Sequence, residues 1–294
     1  MRLLIAGWHG QVARALMEAA PSAADVRSLA VGRPALDLRD PRSIERVLND
    51  AQPNIVINSA AYTAVDKAEV EPERAVSLNV DGARMLARAA ARRGVPMIHL
   101  STHYVYDGSK PTPYVEGDDT KPTTVFGQSK LDGERAVMEE NARHIILRTS
   151  WVFSEFGRNF ATRLLGATPA GEPLRIVADQ HGNPTYAPHL ATAILAIARQ
   201  VKARGSAMPT GIYHAAGEGS ATWAELAREL IACATGPAMK NLKVELIASA
   251  EYPTRAARPV NSELDCRKLD AVFGLRLPPW QEGAKACVAR ADSK

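Results

Sequence analysis

Short β-rich runs, several of them continuously apolar, occur at residues 3–6, 26–31, 54–58, 96–100 and 144–148, and longer Ala- and Leu-rich segments fill the intervals. Runs without alternation suit strands buried on both faces. The intervals carry helical spacing, most clearly between Glu71 and Arg93. A strand–helix rhythm of this kind predicts an α/β fold, a parallel sheet with helices on both faces. After about residue 150 the rhythm loosens. Strands are expected at 174–178, 211–215 and 244–248, helices near 188–201 and 223–234, and a Pro-rich stretch spans 253–259. The predicted organisation is a dinucleotide-binding domain over 1–150, late sheet elements from 174–216, and a smaller substrate-binding lobe from 151–173 and 217–294.

Composition narrows the function classes. The chain has 294 residues, 46% hydrophobic and 23% charged, as in ordinary globular proteins. The net charge of +4 is dispersed, with Arg92–Arg93 as its densest pair, so no nucleic-acid partner is expected. No apolar run nears the roughly 20 residues of a membrane span. The apolar start, MRLLIAG, is about as long as a strand and is broken by Gly7 and Gly10, unlike a signal peptide. Three widely spaced cysteines, Cys233, Cys266 and Cys287, suit a reducing cytoplasm and offer no metal-ligand spacing. A cytoplasmic location and no protein-bound metal are therefore expected.

The first strand leads into Gly7-Trp-His-Gly-Gln-Val-Ala13. Gly7 suits a tight turn, Gly10 lets a pyrophosphate approach the backbone, and the following helix offers N–H groups and a positive dipole end. Ala13 stands at the third-glycine position. Placed between strand and helix, the loop predicts dinucleotide binding, the alternative being an ordinary Gly-rich turn. The second strand ends in Val-Gly-Arg33 with no carboxylate for a ribose 2′-hydroxyl. Arg33 can instead pair with a 2′-phosphate, so NADPH is expected over NADH, with NAD kept as an alternative and a solvated surface arginine as the other reading. Asp37 is a candidate for adenine contacts.

Further motifs accumulate: Ala60-Ala-Tyr-Thr-Ala-Val-Asp-Lys-Ala-Glu69, Ser101-Thr-His-Tyr-Val-Tyr-Asp-Gly108, Pro113-Tyr114 with Glu116, Gly127-Gln-Ser-Lys-Leu-Asp-Gly-Glu134, Asp179-Gln-His-Gly-Asn-Pro-Thr-Tyr186 and Arg258-Pro-Val-Asn-Ser-Glu-Leu-Asp265. Together they resemble the dTDP-4-dehydrorhamnose reductase family of extended short-chain dehydrogenases/reductases, from the first strand to Trp280. The resemblance implies a Rossmann-like doubly wound sheet. It also implies hydride transfer from NADPH to C4 of dTDP-4-dehydro-L-rhamnose, a surface-polysaccharide precursor step. A sugar nucleotide is then the small-molecule partner, a homodimer is compatible, and magnesium use is left open.

By position, the resemblance places Gly7, His9, Gly10, Gln11, Val12, Arg33, Asp37, Leu38, Ala60, Ala61, Tyr62 and Lys130 at the cofactor. It places Val65, Asp66, Thr102, His103, Trp151, Asn159, Arg258 and Asn261 at the substrate. Thr102 matches the threonine that hydrogen-bonds the 4-oxo group, and Lys130 the lysine that holds the nicotinamide ribose. Asn58 lies at the end of the third strand, and Asn79 is placed to bond the neighbouring active-site strand. The catalytic tyrosine, however, falls on Phe126, and His103 stands where the family usually has Asp. Hydride transfer leaves charge on the substrate oxygen that needs a donor and finally a proton, which phenylalanine cannot supply. Slow turnover is therefore expected unless another group stands in, and His103, with a reference pKa of about 6.5, is a candidate. A reductase-like binding or regulatory protein, a different sugar nucleotide, and a deliberately introduced Phe126 remain alternatives.

Overall fold

The computed structural model describes residues 1–20, 26–167, 173–236, 239 and 241–293; part of the expected segment 151–173 therefore lies outside the described residues. The chain opens with β1 (Arg2–Ala6), α1 (Gln11–Ala19), β2 (Arg27–Val31), α2 (Pro41–Ala51) and β3 (Ile55–Asn58). Two short helices follow, α3 (Val65–Ala68) and α4 (Pro72–Val76). Then come α5 (Ala83–Ala91), β4 (Met97–Thr102), α6 (Val125–Glu140) and β5 (His144–Thr149). The five N-terminal strands and Gly211–His214 form one sheet in the order Gly211–His214, β5, β4, β3, β1, β2. Every pairing in it is parallel. This is the expected Rossmann-like sheet.

The apolar runs account for it. Every residue of β3 is buried, as are four of the five in β1, so both faces must be covered. On one face Leu3, Ile5, Ile55 and Ile57 pack with Leu16 of α1 and with Leu190 and Ile194 of the helix Ala187–Arg204. On the other, Leu4 and Val56 pack with Ile44 and Leu48 of α2 and Leu86 and Ala90 of α5. The strand order reverses between β1 and β3, which opens a crevice at the carboxyl ends of these strands.

Three features depart from the sequence expectation. The single helix expected between Glu71 and Arg93 is interrupted by a π-helical segment, Ser77–Gly82. There the Asn79 side chain is drawn toward Tyr62 and α6, and Gly82 packs so closely on Leu38 that a Cβ would lie 2.9 Å from the Leu38 Cβ. Second, of the late elements from 174–216, Gly211–His214 joins the sheet, but Leu174–Val177 pairs with Val244–Ile247. Only Ile176 in that strand is buried, so it suits a small two-stranded ribbon rather than a sheet covered on both faces. Third, two-residue strands, too short for any periodicity, bring His181–Gly182 between Ala221–Thr222 and Asn261–Ser262. A C-terminal helix, Trp280–Asp292, packs through Ala284 and Val288 on the helix Trp223–Cys233. Among the described residues no helix is long and apolar enough to cross a membrane.

Candidate active site

Gly7 has φ +101°, a left-handed conformation, and a Cβ there would lie 3.1 Å from Ser59 Oγ and 3.3 Å from Ala60 N. Gly10 caps α1 and faces open space, with nothing within 4 Å of a built Cβ. No side chain caps α1, and no acidic residue sits in its first turn. Its first N–H groups and positive dipole end are thus available to an anion. The Gln11 side chain is engaged elsewhere: its amide donates to Val152 O at 3.3 Å and accepts from Ser154 Oγ at 2.7 Å. Val12 packs against the core and Ala13 is buried, so the third-glycine position holds a methyl without conflict. His9 is exposed beside Trp8, whose indole covers Gly32; a Cβ at Gly32 would lie 2.4 Å from Trp8 Cδ1.

On the rim beyond β2, Arg33 is exposed and makes no ion pair among the described residues. Asp37 is gripped by Arg39, whose Nη2 donates to Oδ2 at 2.7 Å and whose Nε donates to Oδ1 at 3.0 Å. The Arg39 bonds hold the Asp37 carboxyl down at about 2. Arg39 is therefore a second guanidinium on this rim, missed because nothing in its sequence spacing marked it. Leu38 is buried and packs against Gly82.

At the centre, Asn58 and Asn79 are both buried and organise the loop after β3. Asn79 Oδ1 accepts from Tyr62 N at 2.7 Å, while its Nδ2 donates to Ser129 Oγ at 2.9 Å and to Tyr62 O at 3.2 Å. This fixes Ala60, Ala61 and Tyr62 against α6, rather than against a strand as the sequence suggested. Asn58 Oδ1 accepts from Ala60 N at 3.2 Å, which aims its Nδ2 at His99 Nδ1, 3.1 Å away. On its other side, His99 Nε2 lies 3.3 Å from Lys130 Nζ. Lys130 is buried and donates to Leu100 O at 2.7 Å. Burial brings its ammonium down to about 8, against the opposing pull of Glu134. Burial likewise holds His99 uncharged, and Lys130 adds to that effect.

Thr102 ends β4 nearly buried, and its Oγ1 accepts from Tyr104 N at 3.2 Å, leaving its O–H free to donate into the crevice. His103 lies beside it, with Nδ1 3.4 Å from Thr149 O. Burial lowers the imidazole to about 4, so the ring is uncharged at neutral pH and its Nδ1–H faces a carbonyl. Desolvation outweighs that one long contact. Phe126, one helical turn before Lys130, is buried against Ala68 and Ala75 with Tyr62, Val65 and Tyr104 around it. Tyr104 meets it edge-on at 5.4 Å between ring centroids.

Behind Lys130 runs a buried polar chain. Glu134 takes Arg148 Nη2 at 2.6 Å and Nε at 3.0 Å, and Arg148 Nη1 donates to Tyr106 Oη at 2.7 Å. Tyr106 Oη donates to His214 Nε2 at 2.8 Å, since His214 Nδ1–H faces Asp265 O at 3.1 Å. Glu134, Arg148, Tyr106 and His214 are each at most 2% exposed.

The substrate-side residues divide into two groups. Asp66 and Arg258 meet across the crevice, with Arg258 Nη2 donating to Asp66 Oδ2 at 2.6 Å. By contrast, Asn159 and Asn261 use their amides in the scaffold. Asn159 caps the helix Phe160–Leu165 and donates to Ser154 O at 2.8 Å. Asn261 donates to Lys110 O at 2.7 Å and to Thr112 O at 3.1 Å. Trp151 has φ +43° and stacks on Trp223 at 3.7 Å and 8°. Gly182 is pressed against it, where a Cβ would lie 2.6 Å from the ring, so Trp151 offers an edge and not a free face.

The family described as RmlD substrate binding domain matches residues 1–293. A dTDP-4-dehydrorhamnose reductase of Sinorhizobium fredii is 47% identical over 288 residues, covering 98% of this chain and 97% of that one. The chain belongs to the dTDP-4-dehydrorhamnose reductase family. A crystal structure of the family member from Clostridium acetobutylicum superposes with a TM-score of 0.90 at 30% identity, covering 99% of this chain and 100% of that one. The Bacillus anthracis dTDP-4-dehydrorhamnose reductase, solved in complex with NADP, gives a TM-score of 0.86 at 31% identity, covering 98% of this chain and 99% of that one. In this chain Phe126 and His103 stand beside Thr102 and Lys130.

Proposed function

We propose that the protein reduces the 4-keto group of dTDP-4-dehydro-L-rhamnose with NADPH, giving dTDP-L-rhamnose. The observation that carries this reading is the pairing of Thr102 at the end of β4 with buried Lys130 on α6, in a chain whose near full-length relatives bear that reductase name. The left-handed Gly7 and the open face at Gly10 fit a pyrophosphate: a side chain at either position would intrude on the turn or on the approach. Arg33 and Arg39 supply the charge for a 2′-phosphate, in line with the NADP held by the Bacillus anthracis relative.

When bound, NADPH would supply the hydride. Thr102 donates its O–H to the 4-oxo group and stabilises the charge that develops there. Lys130, held by Leu100 O, orients the nicotinamide ribose and adds a positive field beside the reacting carbonyl. Asp66 and Arg258 close over the sugar nucleotide, with Arg258 facing its diphosphate.

Purified protein, NADPH and dTDP-4-dehydro-L-rhamnose test the reading together. The expected result is loss of NADPH absorbance matched mole for mole by dTDP-L-rhamnose. Tight NADPH binding without product would return the chain to a binding role.

A further inference from the structure

The described site lacks a phenol at position 126, and His103 is uncharged and faces a carbonyl. Two phenols pack against Phe126, those of Tyr62 and Tyr104, and the Tyr62 hydroxyl is engaged, donating to Glu71 Oε2 at 3.1 Å. Tyr104 follows Thr102 by two residues at the carboxyl end of β4, and its ring meets Phe126 edge-on at 5.4 Å. Its backbone is fixed from two sides. Thr102 Oγ1 takes its N–H at 3.2 Å, and its carbonyl lies so close to α6 that a Cβ on Gly127 would be 2.2 Å from it. The ring is partly exposed, and its hydroxyl makes no hydrogen bond among the described residues. The other tyrosine in this motif, Tyr106, accepts from Arg148 and donates to His214, so it has no proton to offer a substrate.

We propose that Tyr104 is the catalytic acid of this protein, supplying from β4 the hydroxyl that α6 lacks at Phe126. This rests on the ketosugar-reductase reading above. In the step, hydride from bound NADPH forms the C4–H bond and the carbonyl π pair moves onto the substrate oxygen. The Tyr104 O–H bond breaks and its proton passes to that oxygen. NADP⁺ carries away the oxidation, and water reprotonates the phenolate. Burial raises the Tyr104 phenol, so it stays protonated and ready to donate at neutral pH. The nearby Arg258 guanidinium favours the transient phenolate, while Asp66 opposes it. A phenol is a far stronger acid than the sugar alcohol formed, so the transfer runs downhill.

Moving the phenol tests the proposal. Wild type, Tyr104→Phe and the double variant Tyr104→Phe/Phe126→Tyr are compared for kcat, KM and NADPH affinity. Tyr104→Phe should lose about 10²-fold or more in kcat, the usual scale of general acid catalysis, with NADPH affinity unchanged. The double variant should recover to within about tenfold of wild type, because the hydroxyl returns on the neighbouring ring. Unchanged NADPH binding reports that each variant is folded. An active wild type with an equally active Tyr104→Phe overturns Tyr104 and leaves the reductase reading standing. A Tyr104→Phe loss that Phe126→Tyr fails to restore, with NADPH still bound, also overturns the acid role. A wild type that turns over no ketosugar overturns the reductase reading and the acid assignment with it.

Discussion

Arg258 and Asp66 lie 192 positions apart in the chain, yet the guanidinium reaches the carboxylate at 2.6 Å and joins the two sides of the crevice. Ala256 N also donates to Asp66 Oδ1 at 3.1 Å, so the carboxylate organises the Pro-rich segment as well as its arginine. In the proposed reaction Arg258 faces a diphosphate, and Asp66 holds it in place until substrate arrives. Arg258→Ala is expected to raise KM for the sugar nucleotide about tenfold or more, the scale of one charge-assisted hydrogen bond, with little change in NADPH affinity. Steady-state kinetics with each substrate varied in turn check the split.

Arg39 both adds charge to the adenosine rim and occupies the Asp37 carboxylate. Arg33→Ala removes charge alone and should weaken NADPH about tenfold while sparing NADH. Arg39→Ala also releases a carboxylate that repels phosphate and can accept from a ribose hydroxyl. It should therefore shift the NADPH-to-NADH preference further than Arg33→Ala does. Titration of both cofactors against both variants decides this, and equal shifts would count against the role given to Asp37.

His103 sets an acid limit on stability. Its folded pKa of about 4 lies below the unfolded value of about 6.5, so the unfolded chain binds the extra proton first. The contribution is fully present above about pH 6.5 and is lost as the pH falls toward 4. His103→Gln should flatten the decline in melting temperature between pH 6.5 and 4 relative to wild type. Parallel thermal scans across that window, with equally steep declines, would remove His103 as the cause.

Gly133 lets α6 approach the π-helical segment. A Cβ there would fall 2.2 Å from Asn79 O, a contact that no rotamer change relieves. Gly133→Ala should destabilise the protein by about 1–3 kcal/mol or more, the range of overpacked cores. Because Asn79 bonds Ser129 one residue before Lys130, NADPH affinity should fall as well. Chemical denaturation and cofactor titration measure the two effects separately.

The sheet was legible because strands buried on both faces are largely apolar, as in residues 55–57, and because a glycine loop before a helix has few other uses. The placements of Thr102 and Lys130 were legible through motif spacing. What escaped depended on partners distant in sequence. Nothing local marks Asp66 as the partner of Arg258, or the Asn159 and Asn261 amides as scaffold ties. The lowered pKa of His103 escaped because a reference value ignores desolvation. The π-helical turn was hidden because its cause, the pull of Tyr62 and Ser129 on Asn79, is tertiary.

The buried chain from Glu134 to His214 bears on whether the cofactor half can exist alone. Arg148 and Glu134 belong to the first 150 residues, but His214 arrives on the sixth sheet strand, and its Nδ1 partner is the carbonyl of Asp265. A fragment ending at residue 150 would expose the β5 edge and replace the Arg148–Tyr106–His214 run with water at the back of the lysine helix. Residues 1–150 are thus tied at Arg148 and Tyr106 to a strand and a loop that come much later in the chain. The protein should melt in one transition, and a truncated cofactor half should fail to accumulate as a folded species.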